Sequence, residues 1–413
     1  MTKYPAAGRL KLDRRLFTIL AIVFVQMLGA SMILPVLPLY AQRHFGLAPQ
    51  SITLLVSSFF IAQFIAGPYI GRLSDRYGRV PVLIVSQIGT ALSFVMLALA
   101  GSAAELFASR VLDGITGGNI IAAQAYVTDI TPREKRTQAL GYIFAAFGLG
   151  FMFGPAIGGV LVSVFGEAAP FWVAAVAATL TIVLTWRTLD EALTPEQREV
   201  NKRFKRGGLG PAAILRNVPL VLVLAIAFVG QFALGLVQST FALFGEAVLF
   251  TAYDARTASL GIGLLLTSVG FAQFFTQTYV LPRALKRYRE ESLVVGGLLA
   301  RTIGLLIWAV VASPWLAVFG ALFFAGGLGL AMPPLQSLST RAVADELRGG
   351  VLGVYQSAAS LSIIVGTALG GVLFAITPTT PYWVGGLLTV ITLLPALTLA
   401  RRPPAAEPVA THT

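Results

Sequence analysis

Arg110 and Asp113 are the two residues of this 413-residue chain whose types and spacing most favour chemistry. They are three positions apart, so on a helix they lie on one face about one turn from each other. Both fall inside an apolar stretch, where a charge is costly unless it is paired or hydrated. We therefore expect the pair to face an internal cavity and to exchange a proton there. Burial favours the protonated form of the Asp113 carboxyl group, whereas the nearby Arg110 favours the ionised form. Two alternatives remain: Arg110 extends to the nearby membrane surface, and Asp113 is only its structural partner.

Other kinds of reactive site find little support in the sequence. The chain has no cysteine, which excludes disulfides, thiol catalysis and thiolate metal sites. Its two histidines, His44 and His412, make a poor metal site, and no G-x-x-x-x-G-K-[ST] sequence supports ATP hydrolysis. No nucleophile and base form a catalytic set. We expect that the protein binds no metal or cofactor and is not an enzyme. Its energy should then come from a gradient of ions or of substrate.

The composition places the chain in a membrane. Hydrophobic residues make up 56% and charged residues 12%, about half the charge of an ordinary soluble domain. Twelve apolar segments have the ~20 residues that a helix needs to cross the bilayer, and helix is required because lipid offers no partners to open backbone groups. The predicted spans are 16–39, 51–71, 80–101, 104–128, 137–163, 169–187, 218–243, 257–280, 292–312, 315–339, 350–376 and 382–400.

The distribution of Lys and Arg predicts the orientation. Of the 30 such residues, 26 fall in the termini and in loops on one side of the membrane, and only Arg43 and Arg256 fall on the other. This bias places both termini in the cytoplasm, as expected for a multi-pass protein of the bacterial inner (plasma) membrane. It also explains the net charge of +12 without a nucleic-acid partner.

Three further charged residues lie near or within the spans. Arg301 falls one or two turns inside the ninth span, and we expect it to be an interfacial anchor or part of a cytoplasmic network. Glu246 and Asp254 follow the seventh span, where we expect them to be solvated on the extracellular side.

The chain divides into two related halves of six spans. Ala-Gln-Phe at 62–64 recurs at 272–274, and Gly-Gly-Val-Leu at 158–161 recurs at 370–373. An even number of spans in each half makes this a parallel repeat. The predicted parts are a first half at 1–187, a cytoplasmic linker at 188–217, a second half at 218–400 and a cytoplasmic tail at 401–413.

Two motifs connect the chain to a known family. The loop after the second span reads G-x-L-S-D-R-x-G-R at 71–79, and it resembles the signature loop of the major facilitator superfamily of secondary transporters. The fifth span reads G-x-G-x-x-x-G-P-x-x-G-G at 148–159, which resembles the antiporter motif of its drug exporters. Across the first five spans the chain is most similar to the tetracycline/proton antiporters and their twelve-helix relatives. The resemblance implies an all-α major facilitator fold with twelve transmembrane helices in two pseudo-symmetric halves.

The family resemblance also implies roles for the motif residues. The loop's Asp and Arg are expected to form a charge cluster with the acidic end of the fourth span, which latches the outward-facing state and opens when the halves rock; the alternative is that the loop charges only set topology. The latch residues are Gly71, Asp75, Arg76, Gly78, Arg79 and Asp129. In the antiporter motif, small residues would let a neighbouring helix approach, and plain helix packing is the alternative reading. These residues are Gly150, Gly154, Pro155, Gly158 and Gly159. At the matching place in the second half, 281–287 keeps the basic residues but has lost the Asp and the glycines.

The first span departs from the family pattern. Tetracycline antiporters carry an acid nine positions before the Pro-Val-Leu-Pro segment at 35–38, whereas this chain has Gln26 there, which cannot carry a proton. We therefore expect a different amphipathic substrate from tetracycline. Proton coupling is assigned to Asp113 with Arg110, and Asp129 is the next candidate.

Polar and aromatic side chains within the spans outline a substrate site. The predicted set is Gln26, Ser31, Asn119, Gln124, Gln231, Phe232, Gln238, Trp308, Gln336, Tyr355 and Gln356. Few charges among them favour an amphipathic organic molecule, although any single glutamine can simply bond across helices. The sequence thus predicts a monomeric exporter of small drug-like compounds in exchange for protons. A facilitator or proton symporter for a nutrient such as a sugar, and a receptor that transports nothing, are the alternatives.

Overall fold

A computed structural model describes residues 14–117, 119–132, 135–193, 211–343 and 348–401. Throughout these ranges the regular secondary structure is helical. Eleven of the described helices are long and apolar enough to cross a membrane, which confirms a multi-pass membrane protein. Most of the predicted linker, 194–210, and the tail beyond Arg401 lie outside the described residues.

The described part of the first half has seven helices, and these build six spans. They are α1 (Arg14–Phe45), α2 (Pro49–Tyr77), α3 (Arg79–Leu99), α4 (Ala103–Thr116), α5 (Asn119–Ile130), α6 (Arg136–Phe165) and α7 (Ala169–Thr188). Each connection between spans is short. Gly78 separates α2 from α3 with φ +112°, a backbone conformation that favours glycine because it has no Cβ.

The second half repeats this arrangement. Its helices are α8 (Pro211–Arg216), α9 (Val218–Phe244), α10 (Ala255–Phe275), α11 (Leu281–Ala284), α12 (Glu290–Val310), α13 (Pro314–Arg341), α14 (Arg348–Ile376), α15 (Thr380–Ile391) and α16 (Leu393–Arg401). A π turn, Gly245–Leu249, continues α9, and a second, Thr276–Val280, joins α10 to α11. Asp254 caps the start of α10 and is exposed, and its bond from the Thr257 hydroxyl lowers the pKa of its carboxyl.

The fourth span differs from the single helix predicted over 104–128. It consists of α4 and α5, and the break is at Gly117, whose carbonyl accepts a hydrogen bond from Gln63 Nε2 at 3.2 Å. Helices α2 and α6 continue through Pro68 and Pro155.

The two halves pack chiefly through four helices. We call the end of the bundle where Arg14 and Arg401 lie the terminal end, and the end where Phe45 lies the distal end. Helix α2 packs on α14, and α6 packs on α10. Toward the distal end, Ser57 and Thr367 share a hydrogen bond of 2.6 Å, and the Gly371 amide donates to Thr53 Oγ1 at 3.0 Å. The halves are therefore closed against each other at the distal end.

Candidate functional site

A central cavity of about 200 Å³ lies between the two halves. Most of its wall is apolar and comes from the first half, whereas Gln238 on α9 is the contribution of the second half. The lining residues are Met27, Ala30, Ser31, Ile33, Leu34, Leu37, Pro38, Val56, Phe59, Phe60, Gln63, Arg110, Asp113, Phe147, Phe151 and Gln238. Pockets for drug-sized ligands usually hold ~300–1,000 Å³. The cavity in this arrangement is therefore smaller than a typical drug-sized site.

Arg110 and Asp113 meet at the wall of this cavity. Arg110 Nη1 donates to Asp113 Oδ2 at 2.7 Å, and both side chains are about nine-tenths buried. The guanidinium also lies 4.5 Å from the centroid of the Phe59 ring. Asp113 is ten residues into α4, roughly 15 Å along its axis, which is about half the thickness of the hydrocarbon core. Arg110 is thus paired inward and does not extend to the membrane surface.

Two polar residues among the predicted substrate set line the cavity. Ser31 is buried and donates to the Gly150 carbonyl at 3.0 Å, which ties α1 to α6. Gln238 presents a buried amide oxygen without a hydrogen-bond partner in the described part of the chain. Gln231, seven residues earlier on the same face of α9, has an equally unpartnered amide oxygen. The second half therefore directs two hydrogen-bond acceptors toward the centre.

The other predicted substrate residues lie apart from the cavity wall. Gln26 and Phe232 are buried among helices, and Tyr355 contacts Met332 inside the second half. Trp308 is completely buried in the second-half core, where its Nε1 donates to the Ala317 carbonyl at 2.9 Å. The remaining members are Gln124, which is half-buried, and Gln336 and Gln356, which are exposed. The side chain of Asn119 lies outside the described residues.

Sequence reasoning missed several cavity residues. Phe59, Gln63 and Phe151 line the cavity. Gln63 carries the same signal as the predicted glutamines, because it too is a polar residue within an apolar span. The aromatic residues gave no such signal, since Phe is equally common on the lipid-facing sides of these helices.

The signature loop folds into a charge cluster at the terminal end. Arg79 donates to Asp75 Oδ1 at 2.7 Å and to Asp129 Oδ2 at 2.8 Å, and its guanidinium side chain is 8% exposed. The cluster therefore joins α2, α3 and α5 of the first half. Arg76 is exposed and its guanidinium lies over the Tyr77 ring, and Gly71 has open space around it.

Glu191 lies beside the Arg79 cluster, and the sequence did not reveal this position. Its carboxylate accepts hydrogen bonds from the backbone amides of Arg79 at 2.9 Å and Val80 at 3.2 Å. A carboxylate at a helix N-terminus pairs with unsatisfied amides and with the positive end of the helix dipole. The chain leaving α7 is thus attached to the start of α3, beside the Arg79 cluster.

The antiporter-motif glycines contact two different helices. A Cβ at Gly150 would lie 2.7 Å from Met27 Cβ, and one at Gly158 would lie 2.6 Å from the Met32 carbonyl, so this face of α6 packs on α1. Gly154 faces α1 in the same way. A Cβ at Gly159 would instead lie 3.0 Å from the Ser259 carbonyl on α10, and the Pro155 carbonyl faces Gly263 of that helix. The motif therefore packs α6 both within its own half and against the other half.

An ion-pair cluster closes the distal end, and it corrects the prediction for Glu246. Arg43 on α1 donates to Glu167 Oε1 at 2.5 Å and to Glu246 Oε1 at 2.7 Å. His44 Nδ1 lies 3.0 Å from the other oxygen of Glu167. Glu246 is thus not simply solvated but connects the second half to the first.

Arg301 also lies elsewhere than predicted. It is 1% exposed, its guanidinium donates to the Gly230 carbonyl and it stacks 4.9 Å from the Phe324 ring centroid. Glycine at 230 leaves room for it, since a Cβ there would approach Arg301 Nη1 to 3.2 Å. Arg301 is therefore a core residue of the second half and not an anchor at the membrane surface.

Comparison with known proteins decides the family. The family model of the Major Facilitator Superfamily matches residues 19–249 and 235–412, which is nearly the whole chain. The chain belongs to the Major Facilitator Superfamily. As a member of the superfamily it is 30% identical to the tetracycline resistance protein, class C, of Escherichia coli, over 94% of this chain and 97% of that protein. It is 28% identical to multidrug resistance protein 2 of Bacillus subtilis (strain 168), over 91% and 92%. These relatives confirm the predicted drug-exporter group.

The solved structures of other major facilitators share the architecture. The crystal structure of the nucleoside transporter NupG matches with a TM-score of 0.75 over 95% of this chain and 100% of that chain, at 12% identity. At this identity the match establishes the fold alone. The predicted major facilitator fold of two six-span halves is confirmed.

Proposed function

We propose that this member of the superfamily exports small amphipathic organic compounds in exchange for protons by alternating access. The observation that carries the proposal is the carboxyl group of Asp113, which is buried at the wall of the central cavity and held by Arg110. An ionisable pair at this depth is costly, so its retention indicates a task that needs a proton or an exchangeable cation.

The cavity wall favours an amphipathic substrate. Phe59, Phe60, Phe147 and Phe151 offer flat apolar surfaces, whereas few groups on the wall can form hydrogen bonds. A sugar would leave most of its hydroxyl groups unpaired there, which is costly. The relatives' names point the same way, because they are resistance proteins for tetracycline and for multiple drugs.

Competition at Asp113 supplies the coupling. When the carboxyl group takes up a proton, its ion pair with Arg110 is lost and the guanidinium is free to turn toward other partners. When substrate occupies the cavity, a cationic or hydrogen-bonding group next to Asp113 favours the ionised carboxylate and the proton leaves. One site that holds either the proton or the substrate gives an exchanger.

The two ends of the bundle supply the gates. The distal end is closed by Arg43 between carboxylates of both halves, and the terminal end carries the Arg79 cluster within the first half. With both termini in the cytoplasm, this arrangement corresponds to an inward-facing transporter. We place it in a bacterial plasma membrane as a monomer. Because Arg79 already contacts Asp75 and Asp129 in this distal-closed arrangement, we propose that the cluster is a latch within the first half that is present in the inward-facing state, and not one that forms only in the outward-facing state.

Transport by purified protein tests the proposal. Proteoliposomes with an acidic lumen are expected to accumulate an amphipathic compound against its gradient as protons leave, and the accumulation should stop when a protonophore removes the pH difference. The panel should include tetracycline, a lipophilic cationic dye and D-xylose. In vesicles with the opposite gradient, acidic outside, uptake of the sugar together with protons, without movement of the other two compounds, would support the nutrient alternative. Tight binding without any transport would support the receptor alternative.

A further inference from the structure

The segment 281–287 keeps the basic residues of the signature loop but has lost its acid, and the structure shows the consequence. In the first half, Arg79 is neutralised by two carboxylates of its own half. In the second half, Arg283, Lys286 and Arg287 are exposed, and none of them forms an ion pair with another described residue. No described residue therefore supplies a counter-charge to these three cations, and they are open to an external anion.

A groove of about 680 Å³ runs beside these cations at the terminal end. Its wall includes Phe275, Tyr279, Arg283, Lys286, Arg287 and Tyr288. Arg283 is held in place by a hydrogen bond from Nη1 to the Tyr279 carbonyl at 2.7 Å. The groove thus combines a fixed guanidinium, two further cations and three aromatic rings.

The chemistry of the groove changes along the helix axis. Phe271, Phe275 and Tyr279 form a ladder of stacked rings, with centroids 6.2 Å and 5.2 Å apart, and all three are about half exposed. This ladder runs from the middle of the span toward the terminal end. The cations follow directly after it, where the helix leaves the hydrocarbon and reaches the lipid headgroups. An apolar wall at the depth of the lipid acyl chains is therefore continuous with positive charge at the depth of the lipid headgroups.

We propose that this groove is a binding site for an acidic phospholipid of the leaflet at the terminal end. The phosphate lies against Arg283, Lys286 and Arg287, and an acyl chain lies along Phe271, Phe275 and Tyr279. A soluble phosphate would use the cations but leave the aromatic ladder uncovered. Basic sites between transmembrane helices recognise anionic headgroups by the same charge pairing.

A quenching experiment on the full-length protein tests the site. Because the chain has no cysteine, an Ala284→Cys variant carries a single fluorescent label within the groove. In detergent micelles, brominated phosphatidylglycerol is expected to quench the label more strongly than brominated phosphatidylcholine at the same mole fraction. The Arg283→Gln/Lys286→Gln/Arg287→Gln variant should bind phosphatidylglycerol about a hundredfold more weakly, which is about fivefold per cation.

The matched control removes three other basic residues from the same end. Arg187, Arg216 and Arg401 are exposed, so Arg187→Gln/Arg216→Gln/Arg401→Gln lowers the charge equally and should keep the preference for phosphatidylglycerol. Equal loss in both triple variants would overturn the site in favour of a diffuse surface charge. Equal quenching by the two lipids in the unaltered groove would also overturn it, without depending on any charge variant. Displacement of the lipid by the same concentration of soluble glycerol phosphate would show a site for free anions.

Discussion

The guanidinium of Arg43 lies 2.7 Å from the carboxylate of Glu246, and this contact joins the first half of the protein to the second. The same guanidinium bonds Glu167, which belongs to the first half. Arg43 therefore stands between two carboxylates that would otherwise repel each other. Opening of the distal end has to separate Arg43 from Glu246, so this contact contributes directly to the balance between the two states.

Replacing Arg43 should shift that balance toward the distal-open state. Arg43→Gln removes the charge that holds the carboxylates, and for a partly exposed pair we expect a loss of about 1–2 kcal/mol. The readout is a single cysteine at Leu37, which lines the cavity. Its labelling by an impermeant reagent on the distal side should become about tenfold faster, since 1.4 kcal/mol is a factor of ten. Arg256→Gln removes an exposed distal charge and should leave the rate unchanged; equal rates in both variants would exclude a gate at Arg43.

Asp75→Asn should impair the change of state and not the binding site. The amide keeps the size of the side chain but weakens the charge-assisted bond to Arg79. We expect a severe loss of transport while the protein still inserts and binds ligand. Asp190→Asn breaks the exposed pair with Arg15 at the same end and should transport normally. Normal transport by Asp75→Asn would reduce the loop to a topological signal.

Asp113→Asn should uncouple the transporter. The amide cannot release a proton, so accumulation driven by a pH gradient should be lost, whereas downhill exchange of substrate stays measurable. Glu105→Gln alters an exposed acid on the same helix and provides the control for both assays. If the Asp113 variant still accumulates substrate with a normal dependence on the proton gradient, the proton is carried elsewhere, and Asp129 is the next residue to change.

Two adjacent glycines of α6 should give different phenotypes. A methyl group at Gly158 meets the Met32 carbonyl inside the first half, so Gly158→Ala should lower stability by about 1–3 kcal/mol. A methyl group at Gly159 meets α10 of the other half, so Gly159→Ala should separate the halves and speed distal labelling at Leu37→Cys. Thermal unfolding and labelling, measured on both variants, distinguish the two effects. The same result for both would mean that the motif serves helix packing alone.

The orientation can be tested with two single cysteines. Gly207→Cys, in the basic segment between the halves, should be protected from an impermeant reagent in intact cells. Thr377→Cys, exposed between α14 and α15 at the distal end, should react. The reverse pattern would contradict cytoplasmic termini.

The spans were predictable because the bilayer requires long apolar helices, and the boundaries agree to within a few residues for most of them. The break in the fourth span was not predictable in this way. A glycine is tolerated within a helix. Whether the helix stops at Gly117 depends on Gln63 of a neighbouring helix, whose side-chain amide donates a hydrogen bond to the Gly117 carbonyl.

The candidate site, too, was predictable only in part. The pair Arg110 and Asp113 follows from their spacing along one helix, as does the bond between Asp75 and Arg79. The contacts of Arg43 with Glu246 and of Glu191 with the start of α3 join residues more than a hundred positions apart. Such contacts depend on how whole helices are placed, and nothing in the local sequence pattern reports that placement.

The break at Gly117 places the two acids of the fourth span on separate helices. Asp113 lies on α4 and Asp129 lies on α5, and between them the backbone carbonyl of Gly117 is held by a side chain of α2 rather than by the next helical turn. We propose that this break lets α5 move when the Arg79 cluster releases Asp129, while α4 keeps Asp113 beside Arg110. Movement of the latch would then leave in place the carboxyl group that we propose carries the proton.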